Sequence, residues 1–189
     1  MWSDAGELAS AWGTRMHKQI ELALTANVYD VSMTEMQTFL HFVKEFLEPQ
    51  EWRLYRAEWT IYDETVMVAG QIDAIFVDAQ DKLHMLDWKR VRHPLLPDSG
   101  QQFHRYGLGL CDHLLDNHFN HYALQQNLYA AILRRRYEIH VTSMALVQIH
   151  PELTGYQIIQ VPMWMKLADK LLDAAGSKMK AVMCSAGGG

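Results

Sequence analysis

Asp73, Asp87 and Lys89 stand where a structural sheet would place hydrophobic side chains. They lie in Gly70-Gln71-Ile72-Asp73-Ala74-Ile75-Phe76-Val77 and Leu83-His84-Met85-Leu86-Asp87-Trp88-Lys89-Arg90, and both stretches read as buried strands from their apolar and β-branched content. A carboxylate inside such a strand is costly unless a cation meets it. Alternation puts Asp87 and Lys89 on one face of their strand and Trp88 on the other. Two acids and a lysine converging at a sheet edge make a site for a divalent metal and a phosphate. Mg²⁺ or Mn²⁺ takes two carboxylates plus waters and substrate oxygens, and the Trp88 main-chain carbonyl is a further candidate ligand. The alternatives are solvated aspartates and a plain salt bridge from Lys89 to Asp87. Beside a metal, Lys89 either orients a water and offsets charge or, with a lowered pKa, acts as a base.

Other residues carry weaker signals. His17 and Glu21 are four apart and share a helix face. Imidazole suits Mn²⁺ better than Mg²⁺, and the second histidine of a zinc-protease HExxH is missing. Glu58 precedes Asp73 by one strand, as a metal or water ligand or as a cross-strand partner of Arg56 or Lys89. Gln125 and Tyr129 are another helical pair, able to hydrogen-bond a phosphate or the catalytic groups, or to sit in the core with a satisfied hydroxyl. Arg90 belongs to the basic run Lys89-Arg90-Val91-Arg92 and is a candidate for positioning a phosphate chain. Arg134-Arg135-Arg136 is either a helix end stabilised by the dipole or a phosphate contact.

The elements that position these residues follow from periodicity. Helices are predicted over Ala11–Leu24 and Thr34–Leu47, with Pro49 as punctuation. Strands follow near Arg53–Tyr62, Val66–Val77 and Leu83–Lys89. From His93 to Asn117, Pro94, Pro97, Gly100, Gly107 and Gly109 break every period, which predicts a long loop; it carries His104 and Arg105 and is placed to gate or thread a strand. A helix over Phe119–Tyr137, strands near Val141–His150 and Tyr156–Val161, and a helix over Met163–Ala174 complete the order. Three successive strands suit an antiparallel meander, and the long helix crosses over to a further strand. The expected fold is α/β (α+β), a mixed central sheet flanked by helices. Residues 1–180 read as one domain and 181–189 as a disordered glycine-rich tail.

Composition narrows the classes. A chain of 189 residues fits one domain with a substantial core. The net charge of −5 argues against a simple basic nucleic-acid binder and leaves room for an acidic, metal-neutralised site. No apolar run reaches bilayer length and no signal-peptide layout is present, so the expectation is an intracellular protein with no membrane partner. Cys111 and Cys184, without CxxC spacing, exclude a cysteine zinc site and an iron–sulfur cluster and favour a reducing compartment.

Together these motifs resemble the PD-(D/E)XK nuclease superfamily in its RecB-like exonuclease branch. The branch pattern is GxxxHxxxE, a glutamate strand, GxxD, DxK and QxxxY. Here Gly13-His17-Glu21, Glu58, Gly70-Asp73, Asp87-Trp88-Lys89 and Gln125-Tyr129 match it in order, spanning residues 13 to 129. The strings around Glu58 and Asp87 are also similar to nuclease domains of large DNA viruses and phages. The resemblance implies a restriction-endonuclease-like core and Mg²⁺ or Mn²⁺ held by His17, Asp73, Asp87 and the Trp88 carbonyl. It implies catalysis by Lys89 with Asp87, Asp73 and Glu58, and support or DNA positioning by Glu21, Gln125, Tyr129 and Arg90. DNA, single-stranded or end-containing, is the implied partner. Without a Walker P-loop, any helicase or replication function would lie in another chain or domain. A structure-specific endonuclease, an RNA-cleaving enzyme and a non-catalytic module that keeps the fold are the alternatives.

Overall fold

The computed structural model describes the backbone of residues 2–186 and the side chains of residues 6–178. Five strands, β1 (Arg53–Asp63), β2 (Val68–Val77), β3 (Leu83–Lys89), β4 (Val141–Ile149) and β5 (Tyr156–Val161), form one sheet in sequence order. Strands β1, β2 and β3 are an antiparallel meander, β3–β4 is parallel, and β4–β5 is antiparallel. A parallel pair needs a crossover, and α3 (His118–Tyr137) provides it. This is the expected mixed sheet flanked by helices.

Alternating side chains feed two cores. On one face, Met16 and Ile20 of α1 (Trp2–Ala26) and Met36, Phe39 and Phe42 of α2 (Thr34–Phe42) cover Phe76, Leu86, Trp88 and Val147. On the other, Phe119, Ala123, Ala131 and Leu133 of α3, with Ala168 and Leu172 of α4 (Met165–Ala186), cover Ile61, Ile72, Ile75, Met85 and Leu146. The last turn of the second helix is a π turn at Val43–Leu47, a local widening that periodicity does not reveal.

Three expectations about the chain ends and basic runs change. The last helix continues to Ala186 instead of stopping at Ala174, so 181–186 is helical and only Gly187–Gly189 of the expected tail lies outside the described residues. No proline interrupts that segment, and Gly176 faces the β1–β2 turn, where an added Cβ would lie 3.0 Å from Val66. Arg134 and Arg135 both bind Asp169 of α4, Arg135 also reaches Asp173, and Arg136 pairs with Glu64. The arginine triplet therefore clamps α3 to α4 and to the β1–β2 turn. Cys111 is a free thiol, and the Cys184 side chain lies outside the described set.

Candidate metal and phosphate site

The site forms where two interior strands part. The β2–β3 ladder ends at the pair Ala74–Leu86. Beyond it the Trp88 N–H, which a longer ladder would use, donates instead to Asp73 Oδ2 at 2.8 Å. Asp73 thus bridges the parting strands with its side chain, and the site occupies this interior gap, not the sheet edge that the sequence suggested.

The pleat slips at the same place. Ile72 and Ile75 face the α3 core, whereas Ala74 belongs to the α1 core, and Asp73 lies 3.4 Å from His17 of α1. Two successive residues of β2, Asp73 and Ala74, therefore point to the α1 side. Opposite Asp73, between the pairs Ala57–Ala74 and Trp59–Ile72, Glu58 has φ +46°. That is left-handed backbone inside a strand, a conformation costing about 1 kcal/mol or more for a residue with a Cβ. It carries a carboxylate that lies 3.9 Å from His17 Nδ1 and accepts a hydrogen bond from Gln71.

His17, Glu58 and Asp73 offer ligand atoms within 4.8 Å of one another. They line a cleft of about 640 Å³ with Gly13, Thr14 and Gln71. Glu21 lies at its rim, paired with Lys18 at 2.7 Å. Burial raises the Glu58 carboxyl above its ordinary value, reinforced by Asp73. Burial pulls His17 down, but its hydrogen bond to Asp73 and the carboxylates around it outweigh this, and its net direction is up.

Asp87 and Lys89 approach from the other face. Strand alternation puts them on the α3 side, with Lys89 Nζ 4.5 Å from the centre of the Tyr122 ring and 2.6 Å from Asp87 Oδ2. That contact is a short ion pair between two buried groups. Burial, then the Asp73 charge, pushes the Asp87 carboxyl up to about 7. Two buried carboxylates close enough for one charge to raise the other are the electrostatic condition a divalent cation relieves. The donor set of carboxylates and one imidazole fits Mn²⁺ or Mg²⁺.

The expected site residues fall into a compact cluster of His17, Glu58 and Asp73 and an Asp87 paired with Lys89 at 2.6 Å. Burial lowers the Lys89 pKa, but Asp87 and then Asp73 more than offset it, and its net direction is up. Arg90 is occupied, with its Nε 2.7 Å from buried Glu35 of α2, so it braces β3 against α2 and is not free to position DNA. Trp88 contributes its N–H to Asp73, and its indole fills the α1 core against Phe39 and Phe42.

Gln125 and Tyr129 pair with each other. Gln125 Nε2 donates to the Tyr129 hydroxyl at 2.9 Å, and the Tyr129 ring lies on Gly70, where an added Cβ would sit 2.1 Å from Cε1. Gly70 is glycine because Tyr129 needs its backbone surface. Gly70→Ala is therefore expected to displace the ring and destabilise the fold by about 1–3 kcal/mol; an unchanged urea midpoint would contradict this packing. Gln71 and Tyr122 are site residues that no motif marks: their roles depend on cross-strand and helix–strand neighbours invisible in local sequence.

Neither the protein-family models nor the curated proteins compared with this chain give a match. Among the described residues no helix is long and apolar enough to cross a membrane.

Proposed function

We propose that the chain is a metal-dependent deoxyribonuclease that hydrolyses phosphodiesters at DNA ends or in single strands. The observation that carries this reading is the meeting of two half-sites at the β2–β3 gap. His17, Glu58 and Asp73 come from the α1 face, and the buried Asp87–Lys89 pair comes from the α3 face.

In this reading His17, Glu58 and Asp73 hold Mg²⁺ or Mn²⁺, with Asp87 and the Trp88 carbonyl as further oxygen donors. When bound, the cation lowers the pKa of a water and offsets phosphate charge. Glu58 and Asp73 accept hydrogen bonds from water in the cleft and hold it on the side of the scissile phosphate. Lys89, fixed between Asp87 and the Tyr122 ring, presents a permanent positive charge to oxygens on which negative charge develops. Asp87 keeps that ammonium in place.

The test is hydrolysis of end-labelled single- and double-stranded DNA with Mn²⁺, against a chelator control and the Asp73→Asn variant. Cleavage that needs the cation and falls at least roughly a hundredfold in the variant is expected. Equal rates in variant and wild type would overturn the reading. Linear against circular substrates separates end-dependent from internal cutting. A binding-only module would retain DNA and cut neither.

A further inference from the structure

Three glycines lie in the described α-helices, Gly6 and Gly13 in α1 and Gly176 in α4. Glycine is a poor helix residue, because fixing its backbone removes the most conformational freedom. Gly176 has a packing reason, since an added Cβ would lie 3.0 Å from Val66. Gly6 stands in an exposed turn and outside the cleft lining. Gly13 differs from both. It is half-buried and lines the candidate cleft, yet an added Cβ there would meet nothing within 4 Å. Among the described residues nothing excludes a side chain from this place, so the fold itself does not demand glycine.

The position is fixed relative to the ligand cluster. Gly13, His17 and Glu21 follow at four-residue steps on one face of α1, each about 6 Å along the axis from the last. Met16 and Ile20, beside that row, are buried in the core and hold the row toward the cleft. Around Gly13 the wall offers no free polar side chain. Thr14 turns its hydroxyl back to the Ser10 carbonyl at 3.1 Å, and Lys18 is paired with Glu21 at 2.7 Å. The amides of the helix interior are engaged in its own ladder. A phosphate finds no donor there, whereas the C–H surface of a sugar needs none.

We infer that Gly13 is where α1 touches the substrate, with the deoxyribose beside the scissile phosphate packed on bare helix backbone. Glycine permits a ligand to approach the main chain more closely than any other residue. A phosphate at the His17 end of the cleft leaves the adjoining sugar within reach of Gly13, because one helical turn is only about 5.4 Å. The contact rests on the nuclease reading for its substrate, and it deepens that reading by naming the part of the strand that α1 holds. Helix stability is given up here for binding, so the two properties should move in opposite directions on substitution.

The experiment compares the whole chain with its Gly13→Ala and Gly13→Leu variants, both residues being better helix formers than glycine. Three quantities are read: the thermal midpoint without DNA, Mn²⁺ affinity by calorimetry, and affinity for a labelled oligothymidylate by anisotropy. The last is measured in Ca²⁺, which takes the same oxygen ligands, and Mn²⁺-dependent cleavage of the same strand is followed separately. Gly13→Ala is expected to melt roughly 2–4 °C higher. Both variants should keep the wild-type Mn²⁺ affinity. Oligothymidylate affinity should fall roughly tenfold in Gly13→Ala and roughly a hundredfold in Gly13→Leu, as an occupied contact is overfilled, and KM for cleavage should rise in step. A lower midpoint or a weakened Mn²⁺ affinity in Gly13→Ala would overturn the inference, because the glycine would then serve the fold or the cluster. So would absent binding by the wild type. If Gly13→Leu binds and cuts as wild type does, the contact fails alone and the nuclease reading stands. If Gly13→Leu loses a strand that the wild type binds but never cuts in Mn²⁺, the nuclease reading fails and the contact stands.

Discussion

Lys89→Ala is expected to reduce Mn²⁺-dependent DNA cleavage by roughly a hundred- to thousandfold, the usual cost of removing one preorganised electrostatic group. The ammonium is fixed on two sides, by Asp87 at 2.6 Å and by the Tyr122 ring at 4.5 Å. Arg90, the next basic residue of β3, is committed to Glu35. Lys89→Arg is expected to fail as well, since a planar guanidinium does not fit a place shaped for a compact charge. The pH–rate profile distinguishes a held cation from a base. With Lys89 held protonated by Asp87 and Asp73, the rate should show no rise toward the lysine range. A rate that climbs through that range, or a Lys89→Ala variant that cuts normally, would refute this assignment. Stability assays separate folding from chemistry. Removing one partner of a buried pair costs about 3–5 kcal/mol when the other stays charged. Lys89 pulls the Asp87 carboxyl down against burial and the Asp73 charge, so without it Asp87 keeps its proton to higher pH, and the variant should be nearly intact in acid and destabilised only on the alkaline side.

Adding Mn²⁺ or Mg²⁺ should raise the thermal midpoint, and the rise should vanish in acid. Asp87 and Glu58 are both held above their ordinary carboxyl values, by burial first and by Asp73 second. A raised carboxyl keeps its proton in the folded state after the unfolded chain has lost it. Its stabilising contribution is complete below the unfolded value and is lost as pH climbs through the folded one. For Asp87 that window runs from 3.8 to about 7. The cation-free protein should thus lose stability across the window. His17, also raised, acts in the same sense, from 6.5 upward. A divalent cation binds the deprotonated cluster and reverses the loss. At about a hundred times its Kd it contributes roughly 2.7 kcal/mol, or about 5–10 °C in a chain of this size. Asp73→Ala should abolish the shift. An equal shift in that variant, or one independent of pH, would show that the cation binds elsewhere.

Much of this arrangement could be read in the chain. Alternation separates Asp87 and Lys89 from Trp88, and helical spacing puts His17 and Glu21 on one face of α1, although on its own that pair reads as a surface hydrogen bond. The meander, the α3 crossover and the irregular segment from His93 to Asn117 also follow from local pattern, the last broken only by short 3₁₀ turns. What escaped depends on partners distant in sequence. Nothing near Arg90 announces that Glu35, on another helix, will claim it. Glu58 is marked as a candidate ligand by its strand, but its left-handed backbone at a non-glycine position has no local signature. The division of the acids into a His17 cluster and a Lys89 pair follows from the slipped pleat at Asp73–Ala74, which is a property of two strands together. The last helix runs past Ala174 to Ala186, with Gly176 packed against Val66 of the β1–β2 turn, a contact that local sequence does not reveal.

The backbone irregularity of β1 also bears on how the protein behaves at high concentration. β1 is an outer strand of the sheet, eleven residues long, with one side of its hydrogen-bonding groups open to another molecule. A long regular outer strand invites a second copy to add on and aggregate. Here the register shifts between Leu54 and Arg56, and Glu58 turns left-handed. Exposed arginines stand at positions 53 and 56, and the Tyr62 N–H is taken by the Tyr137 hydroxyl at 3.1 Å. The distortion that turns Glu58 toward His17 therefore also denies neighbouring molecules a straight template. Smoothing β1 would cost solubility along with the site.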